Sequence, residues 1–201
     1  MMKRILDIIF SIVGLIVVSP FMLIISILIK QEDQGLIFYK GVRVGKNKIP
    51  FKMYKFRTMV MNADKIGGPS TADDDSRITR IGKYLRRGKL DEMPQLINVI
   101  KGDMSFVGPR PEVPQEVETY TDEQMEIFSV RPGITDWACI QYHNEGEILK
   151  GSDDPHQAYR EKIKPGKLAL QIQYAKNHSL WVDFKIVIQT IATVLMSCVR
   201  K

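Results

Sequence analysis

Two adjacent carboxylates, Asp91 and Glu92, follow the cations Arg86, Arg87 and Lys89 and stand where a helix is expected to begin. Leu90, Met93, Leu96, Ile97 and Ile100 recur at three- and four-residue steps, the period of a buried helical face. Asp91, Glu92, Gln95 and Asn98 fall largely on the other face. Pro94 has no N–H to donate and is tolerated only in a first turn. That would put both carboxylates at the positive end of a helix dipole, where anions are favoured. Cations and carboxylates at one helix start suit phosphate chemistry with a built-in nucleophile. They equally suit an aspartate that caps a helix. The local residues leave both readings open.

Other cations have the same double aspect. Lys52 to Met59 alternates charge with bulk, as a half-buried strand would. Alternation sets Lys55 and Arg57 on one face, aimed at a common ligand or simply at water. Arg110 stands between Pro109 and Pro111, after a helix that Gly102 is suited to end. A stiff, extended segment pre-sets this arginine for a phosphate or a base, or makes only a turn. Asp73-Asp74-Asp75 lies in the Gly-, Pro- and Ser-containing stretch 62–76 without calcium-loop spacing and reads as a solvated loop. His143, His156 and His178 form no ligand pair. Cys139 and Cys198 have neither metal-site spacing nor the number for a disulfide framework, which points to a reducing compartment.

The elements that must position these groups follow from composition and period. The chain has 201 residues, 44% of them hydrophobic, enough for one compact core. Its net charge of +6 is unevenly spread. Residues 34–63 hold seven cations and no acid, residues 76–110 eight cations and three acids, and residues 111–161 three cations and twelve acids. A basic half followed by an acidic half is unlike uniform solubilising charge, and no nucleic-acid-binding motif accompanies it.

Ile5 to Ile29 carries Asp7 as its single charge and is long enough to cross a ~30 Å hydrocarbon core. Two features favour a re-entrant helix–break–helix over a simple span or a cleaved signal. Ser19-Pro20 interrupts the middle. Lys3 and Arg4 before the segment, and Lys30, Lys40 and Arg43 after it, would hold both flanks on the cytoplasmic side. Residues 1–30 are therefore expected to be a re-entrant membrane segment and residues 31–201 one integrated cytoplasmic catalytic domain. Within the latter, Leu36 to Met59 predicts a small β-hairpin turning at Gly45-Lys46-Asn47. Arg77 to Arg87 predicts a basic helix at a lipid surface. Pro114 to Phe128 predicts an acidic, exposed helix, and Trp137 to Tyr142 a buried strand or short segment. Pro155 to Asn177 predicts helical pieces around Pro165-Gly166. Trp181 to Lys201 predicts an amphipathic helix striped by Phe184, Ile188, Ile191 and Leu195, interfacial or docked on the core. The fold class is α+β, mainly helical, in a monotopic membrane protein.

The ordered set Arg4-Ile5-Leu6-Asp7, Ser19-Pro20, Tyr54-Lys55-Phe56-Arg57-Thr58-Met59, Leu90 to Val99, Lys101 to Pro111, Arg131-Pro132-Gly133-Ile134-Thr135 and Asp183-Phe184-Lys185-Ile186 resembles the small monotopic phosphoglycosyl transferases, the bacterial sugar transferase family. The resemblance covers nearly the whole chain. It implies transfer of a sugar 1-phosphate from a UDP-sugar to polyprenyl (undecaprenyl) phosphate with release of UMP, on the cytoplasmic face of a bacterial inner membrane. Membrane lipids and downstream glycosyltransferases are the implied partners, with no nucleic acid. It implies Asp91 as the nucleophile that holds the phosphosugar, with Mg²⁺ near Asp91 bridging the diphosphate. Glu92 would be a metal or proton-transfer partner. Lys55, Arg57 and Arg86 would meet phosphate oxygens. Arg110, with Pro109 and Pro111, would lie at the nucleotide, and Arg131 would be a further substrate-binding residue. His143 and Asp183 would lie on the sugar side. The chain departs from the family's frequent Gly-Trp-Ala-Gln-Val-Asn-Gly-Arg, reading Asp136-Trp137-Ala138-Cys139-Ile140-Gln141-Tyr142-His143, so the sugar does not carry over. A noncatalytic membrane-attached scaffold is the rival reading; intact Asp91-Glu92, Arg86 and Arg110 argue against it.

Overall fold

The computed structural model describes residues 2–67 and 70–199. Gly68 and Pro69 of the expected loop, and the side chain of Cys198, lie outside that description. The N-terminal apolar run forms one helix, α1 (Met2–Asp33), with Pro20 inside it. The helix is continuous and ends three residues beyond the expected boundary at residue 30. Proline cannot donate to the Ile16 carbonyl four residues earlier. The Ser19 hydroxyl donates to that carbonyl at 2.9 Å. The Ser-Pro pair thus carries its own repair, and the backbone passes through the interruption without leaving the helical state.

Among the described residues α1 is the one helix long and apolar enough to cross a membrane, yet the rest of the chain holds it at both ends. Near its start, Lys3 Nζ donates to the Val107 carbonyl at 3.1 Å and to Asp183 Oδ2 at 2.6 Å. Arg4 donates to the carbonyls of Val99 and Ile100 at 2.6 and 2.9 Å, and Asp7 accepts from the Phe106 N–H at 3.2 Å. At its far end, Glu32 accepts from the N–H groups of Arg80 and Ile81 at 2.7 and 3.2 Å. Asp33 takes a two-pronged ion pair from Arg57. Between these ties Ile25 and Ile29 pack with Phe56 and Leu85. The other faces of α1 stay bare: Ile9, Phe10, Val13, Ile16, Val17, Phe21 and Leu23 are all about half exposed or more.

The hairpin forms as expected. β1 (Phe38–Val44) and β2 (Pro50–Phe56) pair antiparallel, Phe38 opposite Phe56 and Val44 opposite Pro50. α2 (Arg80–Arg87) begins at Thr79, whose hydroxyl accepts from the Gly82 N–H at 3.0 Å. The Glu32 carboxylate takes two more of the N–H groups that a helix start leaves free. A 3₁₀ turn over Leu90–Glu92 then leads into α3 (Gln95–Lys101). Gly102 ends α3 at φ +95°, a left-handed conformation that suits glycine.

Beyond α3 the structure adds one element and corrects two expectations. β3 (Ser105–Val107) pairs in parallel with β4 (Gly133–Thr135), a second small sheet that no local pattern announces. Pro114 to Phe128 is not one exposed helix but α4 (Pro114–Val117) and a 3₁₀ segment, Gln124–Ser129. Val117, Tyr120, Ile127 and Phe128 from this stretch fill a core cluster, and Glu116 is buried against Arg160 and Lys164. Trp137 to Tyr142 is not a strand. It opens as α5 (Trp137–Gln141), because the Asp136 carboxylate accepts from the Cys139 N–H at 2.6 Å and starts a helix there.

α6 (Glu145–Ile148), α7 (Pro155–Lys162) and α8 (Lys164–Asn177) follow, with Pro165 in the first turn of α8. α9 (Leu180–Val199) buries Ile186 and Asp183 on one side. On the other it presents Trp181, Phe184, Ile188, Ile191 and Leu195, each at least half exposed. Among the described residues the architecture is mainly helical, with two two-stranded sheets and an apolar surface contributed by α1 and α9.

Candidate active site

Three elements converge on Asp91. β2 brings Lys55, the 3₁₀ turn brings Asp91 and Glu92, and the segment after β3 brings Arg110. Asn98, fully buried on α3, ties β2 to the helix that follows the turn. Its Oδ1 accepts from the Tyr54 N–H at 2.9 Å, and its Nδ2 donates to the Lys52 carbonyl at 2.8 Å and to Asp103 Oδ2 at 3.0 Å. These bonds fix strand against helix just before Lys55. Satisfying a buried amide this fully makes the junction stiff, since any slip leaves polar groups unpaired.

Lys55 Nζ lies 2.8 Å from Glu92 Oε1 and 3.8 Å from Asp91 Oδ2. Arg110 Nη2 donates to Glu92 Oε1 at 2.7 Å. Glu92 is therefore committed to two cations. The field and hydrogen bonds of Arg110 and Lys55 hold its carboxyl well below the usual range, against the pull of burial, and Glu92 pushes the Arg110 guanidinium well above its own. Asp91 is the opposite case. It is only 7% exposed, yet among the described residues neither of its carboxylate oxygens accepts a hydrogen bond. Burial pushes its carboxyl up, opposed by Lys55 and Arg86 and reinforced by Glu92. A carboxylate largely withdrawn from water and free of protein donors is more basic, and so a better nucleophile, than one that is capped.

The capping reading of Asp91 thereby fails. α3 starts at Gln95, the residue before it is Pro94, and no side chain caps that start. Asp91 belongs to the separate turn that Lys89 enters at φ +54°. A helix start does not favour its charged form; the field of its cationic neighbours, led by Lys55 and Arg86, does so against burial. Arg86 is partly buried at the end of α2, its Nε donating to Thr58 Oγ1 at 2.9 Å, and it acts electrostatically on Asp91. Burial pushes its guanidinium down, with Asp91 the leading opposing influence. With Lys89, four cations thus stand around two carboxylates, one of them free to react.

Lys55, Arg86, Asp91, Glu92 and Arg110 come together as the sequence predicts, and Pro109 and Pro111 are buried as Arg110's supports. Arg57 does not join them. β2 ends at Phe56, alternation ends with it, and the Arg57 guanidinium is spent on Asp33 and on the carbonyls of Leu36 and Met59. Arg131 donates to the Gly102 carbonyl at 2.9 Å. Asp183 accepts from Tyr174 and Lys3, each at 2.6 Å, and locks α9 to α1. His143 is exposed, its Nδ1 3.2 Å from the Ile140 carbonyl. For these four the contacts describe structural ties and, for His143, a surface position, and none of these contacts is with Asp91.

For Mg²⁺, no group of three His, Cys, Asp or Glu side chains gathers among the described residues. Glu92 is taken by Lys55 and Arg110, so Asp91 is the carboxylate with open lone pairs. One carboxylate suits a Mg²⁺ that keeps water and is held mainly by substrate phosphates.

Sequence reasoning missed Asn98 and Asp136. Asn98 was legible only as a polar residue on a helix face. Asp136 carried a signal, since it stands where the resembling family often has glycine.

Comparison with known proteins agrees with this chemistry. The family described as bacterial sugar transferase matches residues 1–197. The chain is 39% identical over 196 residues to the UDP-N-acetylgalactosamine-undecaprenyl-phosphate N-acetylgalactosaminephosphotransferase of Aeromonas hydrophila, covering 96% of this chain and 43% of that protein. It is 36% identical over 211 residues to the exopolysaccharide production protein ExoY of Sinorhizobium fredii, covering 97% and 86%. It is 34% identical over 199 residues to the UDP-glucose:undecaprenyl-phosphate glucose-1-phosphate transferase of Caulobacter vibrioides, covering 96% and 69%. The chain thus spans less than half the length of the Aeromonas relative and most of the other two.

Proposed function

Because the chain belongs to the bacterial sugar transferase family, we propose that it transfers a sugar 1-phosphate from a UDP-sugar to undecaprenyl phosphate, with Asp91 as covalent carrier. The observation that carries this reading is the buried Asp91 carboxylate, free of hydrogen bonds, beside Lys55 and Arg86. In the first step an Asp91 oxygen attacks the sugar-bearing phosphorus. The bond from that phosphorus to the oxygen bridging the two phosphates breaks, and UMP leaves with the electron pair. In the second step a phosphate oxygen of undecaprenyl phosphate attacks the same phosphorus. The acyl-phosphate P–O bond breaks, Asp91 is a carboxylate again, and the lipid carries a diphosphate-linked sugar.

Each approach brings an anion to an anion, so the residues mainly neutralise charge. Lys55 and Arg86 face the diphosphate oxygens. Arg110, steered by Glu92, faces the nucleotide side. Glu92 serves as the anchor of these two cations, a role its contacts support better than proton transfer. Mg²⁺, held by Asp91 and the donor's phosphates, would supply further Lewis-acid neutralisation of the diphosphate.

The membrane arrangement that suits a lipid acceptor is a monotopic one. Both ends of α1 are tied to the same body, which favours a helix seated in one leaflet with both ends on one side over a helix that spans. The exposed stripe of α9 would lie in the same interface. The basic flanks favour the cytoplasmic face of the bacterial cell membrane. Downstream glycosyltransferases would then consume the lipid-linked product. A cysteine at residue 2 is expected to resist a membrane-impermeant maleimide in intact cells and to react after lysis; labelling from outside would refute this topology.

The reaction itself is tested with detergent-solubilised protein, undecaprenyl phosphate, Mg²⁺ and a panel of UDP-sugars. UMP and lipid-linked sugar should appear in equal amounts for at least one donor. A scaffold without activity would release no UMP with any of them.

A further inference from the structure

The segment Pro109-Arg110-Pro111 has a single backbone N–H, that of Arg110, because neither proline carries one. The hydrogen-bond ladder with β4 holds the chain up to this point: the Gly108 N–H donates to the Thr135 carbonyl, and the Gly133 N–H to the Pro109 carbonyl, both at 3.0 Å. The next donor, Arg110 N–H, goes to a side chain instead. Asp136 Oδ2 accepts it at 3.2 Å and also accepts Gln171 Nε2 at 3.1 Å. The other oxygen, Oδ1, starts α5 through Cys139. Asp136 and Gln171 are 1% and 2% exposed, so the carboxylate has no water to fall back on. From Arg110 the connection runs on through Glu92 to Lys55 and Asp91.

We propose that Asp136 is the positioning residue for Arg110, and through it for the nucleotide end of the donor. One buried carboxylate fixes both the start of α5 and the arginine's main chain, so that the guanidinium reaches Glu92 from a set origin. This rests on the function proposed above and adds a determinant of how tightly the donor is held.

Asp136→Ser separates the two duties. A serine is a good helix N-cap, so the start of α5 is kept. It is too short and too poor in acceptors to hold Arg110 and Gln171 as well. A charge-assisted hydrogen bond lost inside the protein corresponds to about a tenfold or larger effect. The variant should therefore raise KM for the UDP-sugar about tenfold, with kcat changed much less. In an Arg110→Ala background the same substitution should add almost nothing, because the residue it acts through is gone. Asp136→Asn, which keeps the side chain's size but has no charge and one acceptor oxygen for three donors, should weaken the hold on Arg110 in the same direction and covers the case in which the serine variant fails to fold. A loss that multiplies with that of Arg110→Ala, or one confined to kcat or to melting temperature, would overturn the proposal. Wild-type turnover in the same assay reports separately on the transferase reading: no turnover there sinks that reading, whereas turnover with additive losses sinks only the role of Asp136.

Discussion

Replacing Asp91 with asparagine should abolish sugar-phosphate transfer and make the protein more stable. The two effects share one cause. Asp91 is buried without donors, and burial raises its carboxyl above the ordinary 3.8. A group whose folded pKa is raised costs stability once the pH climbs through that value, because the folded state must carry a charge it disfavours. Asparagine removes the charge at nearly constant volume. We expect a melting temperature about 2–6 °C above wild type at neutral pH, the usual yield of relieving one strained site. The same change removes the nucleophile, so turnover should fall about 10⁴-fold or more. Calorimetry and a UMP-release assay on one preparation check both. A variant that is inactive and less stable would mean that Asp91 is structural.

Glu92 should behave in the reverse sense. Its two cations hold its carboxyl well below 4.5, so its ionised form stabilises the fold. That contribution is complete above about pH 4.5 and is lost as the pH falls toward the folded value. Glu92→Leu takes the shared anion from Lys55 and Arg110, both partly buried, and leaves Lys55 only the more distant Asp91 at 3.8 Å, a change that costs about 1–3 kcal/mol. Glu92→Gln keeps one acceptor and should cost less. The stability gap between wild type and Glu92→Gln, measured by denaturant unfolding, should be widest near pH 7 and should narrow below pH 4.5. A gap independent of pH would show that the charge of Glu92 does not matter. Both variants should also lose transfer activity, since Lys55 and Arg110 lose the anchor that aims them.

Much of this site can be read in the sequence, and the misreadings have local causes. Asp91, Glu92 and the preceding cations are neighbours in the chain, and Pro94 rightly announces a helix start. What the local pattern could not separate is a 3₁₀ turn from the helix after it, and that difference decides whether Asp91 is capped or bare. Arg57 was paired with Lys55 by alternation, but the strand stops at Phe56 and Asp33 claims the arginine from 24 residues away. Trp137 to Tyr142 is a short apolar run, and such runs do not distinguish strand from helix by period. The deciding signal was Asp136, a helix-capping residue directly before it. Pro114 to Phe128 looked solvated because it is acidic, whereas Glu116 is buried by Arg160 and Lys164, 44 and 48 residues on. The parallel pairing of β3 with β4 joins two three-residue strands 28 residues apart, too little chain to carry a pattern.

The membrane segment shows a different division. Its length, its Ser-Pro pair and its basic flanks are all local and were legible. Its attachment is not: Lys3 to Asp183 and Glu32 to the start of α2 are contacts between distant parts of the chain. Those contacts bring the apolar surfaces and Asp91 into one body, where a water-soluble donor and a lipid acceptor could reach the same carboxylate in turn.

The central claim is that Asp91 carries the phosphosugar between the two half-reactions. The direct measurement is intact-protein and peptide mass spectrometry after brief incubation with Mg²⁺ and a UDP-sugar that supports turnover, with undecaprenyl phosphate left out. The account predicts a mass increase of one phosphosugar, localised to Asp91, accompanied by one equivalent of UMP and discharged when the lipid acceptor is added. An active preparation that releases no UMP without acceptor, and never carries the added mass on Asp91, would contradict it.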